Sequence, residues 1–193
     1  MRLELKDPAP LACPECGKPF EPLGFGHLES CRIGRKYKLP QLVTTGHHAL
    51  VFGSRVVPLG RHPEAHAMLD RLHWEHPDLV IIKGGARGAD HVGKTWADGH
   101  QVAVETWRPQ WGLFHGWLAA FWRNAEMAAR KPQEAVALIG PCEKEAHREW
   151  APHPSHGSTD MAMRLRQLDI PMLVHTWGIP AAWGEALRTK EQQ

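Results

Sequence analysis

"DLVIIKGGARGADHVGKTWADGHQVAVETW", residues 78–107, decides the fold. It opens on an unbroken aliphatic run, 79–82, the pattern of a strand buried on both faces. Gly84, Gly85 and Gly88 interrupt that run. Residues 88–100 then place Val92, Thr95 and Trp96 on one inward helical face, with Gly99 near its end. "QVAVETW" (101–107) is extended again. Strand, helix and strand in this order predict a parallel pair joined by a crossover.

The same alternation continues on both sides. Upstream, "HALVFGS" (48–54) reads as a strand. Residues 64–76 read as a helix with Ala65, Met68, Leu69, Leu72 and Trp74 at helical spacing, stopped by Pro77. Downstream come a helix over 116–130, a strand at 134–140, a helix over 158–168 and a strand at 170–177. This predicts an α/β fold whose mostly parallel central sheet is covered on both faces. Such sheets bind ligands beyond the carboxyl ends of their strands. "GSR" (53–55), "GGARGAD" (84–90) and "GPC" (140–142) stand at those ends.

The chain has 193 residues, 42% hydrophobic and 23% charged, the composition of a soluble globular protein. Its formal net charge of +2 gives no strong field for nucleic acid or anionic lipid. No apolar run approaches the roughly 20 residues of a membrane span, and the first ten residues lack a signal core. The expected location is the cytoplasm, without membrane association.

Four cysteines are unevenly placed: three near the start, while Cys142 stands alone. "CPECGKPFEPLGFGHLESC" gives C-x2-C-x10-H-x3-C, with Cys13, Cys16, His27 and Cys31 as ligands. Three thiolates and one imidazole suit Zn2+, and four protein ligands leave no position for water, so the zinc is expected to be structural. Residues 1–39 are read as a zinc-finger-like module, 40–46 as a linker and 47–193 as the α/β domain. Arg32, Arg35, Lys36 and Lys38 either meet nucleic acid phosphates, offset the thiolate charge, or are solvated.

In the glycine loop, a helix N-terminus offers free N–H groups and partial positive charge, which favour a phosphate. Arg87 adds a formal charge. The loop is either a ligand cradle or a plain strand-to-helix turn, and it matches neither G-x-G-x-x-G nor the Walker pattern. Asp90 either caps the helix, holds a ribose hydroxyl, or serves as a base. No Ser-His-Asp or Cys-His arrangement is legible, because fourteen histidines make chance proximity expected.

"VFGSR" (51–55), "DLVIIKGGARGADHVGKTWA" (78–97), "WRNAEM" (122–127) and "HGSTDMAMRLRQLDIPM" (156–172) together resemble the YspA-like branch of the SLOG superfamily. The resemblance runs from Val51 to about Val174 and omits the zinc segment. It implies a Rossmann-like three-layer sandwich that binds a nucleotide or nucleotide-derived ligand. By motif it assigns Gly53, Ser54 and Arg55, the loop Gly84, Gly85, Ala86, Arg87, Gly88, Ala89 and Asp90, then Arg123 and Asn124, and finally Gly157, Ser158 and Thr159. Trp107, Trp111, Trp117 and Trp122 are candidates for a base-stacking wall, with packing as the commoner role.

Relatives that release cytokinin bases carry a glutamate after the glycine loop, and this chain has none there. That favours a sensor or sequestering protein over a phosphoribohydrolase. An enzyme hydrolysing an N-glycosidic or phosphate bond of a nucleotide, with Asp90 or Asp160 as acid or base, is the second reading. A single-stranded DNA or RNA binder is the third, and the modest charge argues against it. A homo-oligomer is expected by analogy alone.

Overall fold

A computed structural model describes residue 8 and residues 11–19 and 31–188. A short helix α1 (Arg32–Lys36) precedes the body. There follow β1 (His47–Gly53), α2 (His62–Glu75), β2 (Leu79–Gly84), α3 (Ala89–His100) and β3 (Ala103–Trp107). Then come α4 (Trp117–Ala129), β4 (Glu134–Ile139), α5 (His156–Gln167), β5 (Met172–Thr176) and α6 (Ala181–Leu187).

The five strands form one sheet in the order β3-β2-β1-β4-β5, and every pairing is parallel. This is a Rossmann-like order, and its direction reverses between β1 and β4. Val51 stands opposite Lys83 on one side and Val136 on the other.

Alternate residues of the strands serve two cores, as a period of two requires. Leu50, Phe52 and Ile82 pack with Met127, Met161 and Leu165 from α4 and α5. Ala49, Val51 and Ile81 pack with Leu69, Leu72, Val92 and Trp96 from α2 and α3. Helices on both faces make the three layers. Two expected core positions face outward instead. Thr95 is exposed on α3, because Ala97, one residue past Trp96, completes the buried stripe. Trp74 is 88% exposed, since Leu69 and Leu72 already carry the inward face at the end of α2.

The segment read as a linker is tied to the body. Leu42, and Leu39 just before that segment, pack on the core, and Val43 N–H donates to Glu105 Oε1 at 2.7 Å. Glu105 has no solvent exposure and takes two further hydrogen bonds from Arg130, at 2.7 and 3.1 Å. At the opposite end of the sheet from the glycine loop, His47 and His76 stack at 3.5 Å and converge on Glu134. No helix among the described residues is long and apolar enough to cross a membrane.

Candidate functional site

A cleft of about 930 Å3 opens at the carboxyl ends of β1, β2 and β4, where the strand order reverses. From the residues expected there, Gly53, Ser54, Arg55, Gly85, Ala86, Arg87 and Asp90 line it. So do Arg123, Asn124, Gly157 and Ser158. Gly84, Gly88, Ala89 and Thr159 do not line it, and neither does Asp160.

Those behind the wall shape it. Gly88 has φ 76°, and a Cβ there would drive into the Ser54 and Arg55 backbone. Only glycine serves at such a position. Ala89 N–H then donates to Ser54 O at 3.0 Å, locking α3 to the end of β1. Ser54 Oγ itself accepts from Gly140 N–H at 2.7 Å, so it joins β1 to β4. Thr159 Oγ1 donates back to Ser155 O at 3.1 Å. Ser155 caps α5, its side chain accepting from Ser158 N–H.

Asp90 Oδ2 accepts from Ala86 N–H at 2.9 Å and closes the glycine loop across the start of α3. Burial pushes its carboxyl up, against the pull of Arg123, the Ala86 N–H and Lys83. Burial likewise lowers the Arg123 guanidinium, and Asp90 opposes that. Asn124 is a brace: Nδ2 donates to Gly157 O at 3.1 Å and to Asp160 Oδ2 at 2.9 Å. Asp160 is held by Arg164 through both oxygens, at 2.9 and 3.0 Å. This carboxylate ties α5 to α4 and stands behind the wall.

Several cleft residues escape a sequence reading. Arg108 and Lys144 are exposed there, adding two cations to Arg55, Arg87 and Arg123. Arg108 follows β3 directly, so its place at a strand end was a usable signal. Lys83, under the loop, is a buried cation whose Nζ donates to Gly84 O at 3.0 Å, and burial lowers its pKa. Of the tryptophans, Trp111 lines the cleft. Trp107 and Trp122 are core residues, and Trp117 is exposed but not on the cleft.

Near the start, Cys13, Cys16 and Cys31 bring their sulfurs within 4.8 Å of one another. Cys13 and Cys31 are buried with Sγ atoms 3.8 Å apart. Burial alone would raise the Cys13 thiol, but hydrogen bonds from Cys16 and Glu15 N–H bring it below its ordinary value. The donor set fits a thiophilic ion. His27, the expected fourth ligand, lies outside the described residues. The cluster packs on α4, with Leu11 and Ile33 against Phe114 and Trp122. Two hydrogen bonds also clasp Lys38 to Gln110, at 3.0 and 2.7 Å.

Fold and cleft together define a Rossmann-like domain with a cation-rich crevice at its switch point. The profile of the YspA, cpYpsA-related SLOG family matches residues 51–114, from β1 to the loop after β3. The gene 61 protein of Mycobacterium phage D29 is 40% identical over 115 residues, which cover 53% of this chain and 90% of that protein. The chain belongs to this SLOG family. No solved structure matches it.

Proposed function

We propose that the chain binds an anionic, nucleotide-derived small molecule in the cleft between β1 and β4, as a sensor or sequestering protein. One observation carries this. Four arginines and Lys144 converge on a crevice whose acids are Asp90 and Glu143, and the α3 and α5 N-termini add partial positive charge. Trp111 offers an exposed ring on which a base can stack. Membership of the SLOG family supports the nucleotide character of the ligand. The test is thermal shift and calorimetry with ADP-ribose, NAD and cyclic nucleotides. A true ligand at 100 times its Kd stabilises by about 2.7 kcal/mol. No shift with any of them, on folded protein, overturns the proposal.

Hydrolysis of a nucleotide is the second reading, and Asp90 favours it. A buried carboxyl held up by desolvation and facing the cleft suits a general acid. On this reading Asp90→Asn binds ligand and makes no product by mass spectrometry. Unchanged turnover in that variant excludes the role.

Cys13, Cys16 and Cys31, with His27, are on the same proposal ligands of a structural Zn2+. Its role is to hold residues 1–39 folded, because so short a segment buries little core of its own.

A further inference from the structure

Cys142, expected to stand alone, does not. The chain between β4 and α5 folds back on itself: Pro141 bridges Pro154, and Cys142 N–H donates to His153 O at 2.7 Å. The pinch gathers Cys142, His147, His153 and His156, whose ligand atoms all lie within 4.8 Å of one another. Cys142 Sγ is 3.5 Å from His147 Nδ1. A tetrahedral zinc ion with these ligands sets donor atoms about 3.3–3.6 Å apart, so a small contraction completes the geometry.

His153 supplies the decisive detail. Its Nδ1 lies 3.1 Å from Ala151 O, and a carbonyl can only accept, so the proton is on Nδ1. The Nε2 lone pair is left free, and that atom is buried without a hydrogen-bond partner. Metal-bound histidines are oriented in this way, by a carbonyl on the far nitrogen. Trp150 stacks on His147 at 3.8 Å and shields one side. A hydrogen-bonded Cys–His pair alone would leave the His153 lone pair unexplained.

We propose that Cys142, His147, His153 and His156 form a second metal site, taking a divalent ion of the zinc class. One thiolate and three neutral imidazoles leave the loaded site with a net positive charge. Cys142 and His156 also line the cleft, so the ion fixes the wall that the β4–α5 loop contributes and adds to the cation excess there.

Metal content of the full chain tests this without any nucleotide. In a Cys13→Ser/Cys16→Ser background, zinc-loaded protein is expected to keep one metal per chain, and adding Cys142→Ser/His153→Ala to remove it. Far-UV circular dichroism checks folding. In the otherwise unaltered chain, Co2+ loading should give tetrahedral visible bands, and Cys142→Ser should remove part of the thiolate charge-transfer intensity. His156→Ala, at an exposed position, should weaken retention of this ion against a chelator by at least about tenfold. A Cys13→Ser/Cys16→Ser chain that folds and holds no metal overturns the proposal. So does a Cys142→Ser/His153→Ala chain with undiminished metal.

Discussion

Arg123 and Asp90 both crowd the space above Gly84. A Cβ built on that glycine falls 2.5 Å from Asp90 Oδ2 and closer still to the Arg123 guanidinium. The last residue of β2 is therefore glycine because two side chains from α3 and α4 occupy the space above it. Gly84→Ala is expected to destabilise the chain by about 1–3 kcal/mol through overpacking. Arg123→Ala in the same chain should recover part of that loss, because the largest clash disappears. Denaturant midpoints of the two single variants and the double variant measure it. Additive losses would show that the guanidinium is not what excludes the side chain.

Arg108 is exposed, lines the cleft and lies outside the core. Arg108→Ala is expected to leave stability within about 0.5 kcal/mol of the parent. Affinity for an anionic ligand should fall about tenfold, the lower end for a hydrogen bond to a charged group. The loss should shrink at higher salt, as it must for a screened charge. Calorimetry at two ionic strengths reads both effects, and equal affinity at low salt would remove Arg108 from the site.

The strands were legible because 79–82 and the run at 135–139 are apolar and buried. Asp90 and Arg123 were legible because their motifs sit at a strand end and on a helix. Other features have no local signature. Glu105 reads as an ordinary polar strand residue, and only the fold brings Arg130 to it. Thr159 and Asp160 follow the glycine of a ligand-like motif, yet the helix turns them away from the cleft. Cys142 and three histidines read as scatter until Pro141 and Pro154 pinch the loop together.

The N-terminal cysteines pack on Phe114 and Trp122, so metal loss should be felt in the body. In a Cys142→Ser/His153→Ala background, which leaves only the N-terminal cluster to hold metal, chelation of zinc-loaded protein is expected to lower Tm and to shift tryptophan emission to the red as the α4 face is uncovered. In that background Cys16→Ser should mimic chelation, because Cys16 is exposed and its loss removes a metal ligand from the cluster. An unchanged Tm after verified metal removal would show that the cluster folds without an ion.

Glu126 is buried on α4, and its Oε2 has no hydrogen-bond partner among the described residues. Burial pushes its carboxyl from 4.5 up to about 7, against a hydrogen bond from Trp122. Between those two values the folded chain keeps a proton that the unfolded chain has released. Stability tied to Glu126 is therefore fully present below pH 4.5, declines as pH rises toward about 7, and is flat above. The gap corresponds to about 3 kcal/mol. Glu126→Gln stays neutral throughout, so it should match the parent near pH 4.5 and exceed it by up to that amount at pH 8. Parallel denaturation curves for parent and variant across this range would refute the assignment, because a difference independent of pH cannot come from an ionising carboxyl.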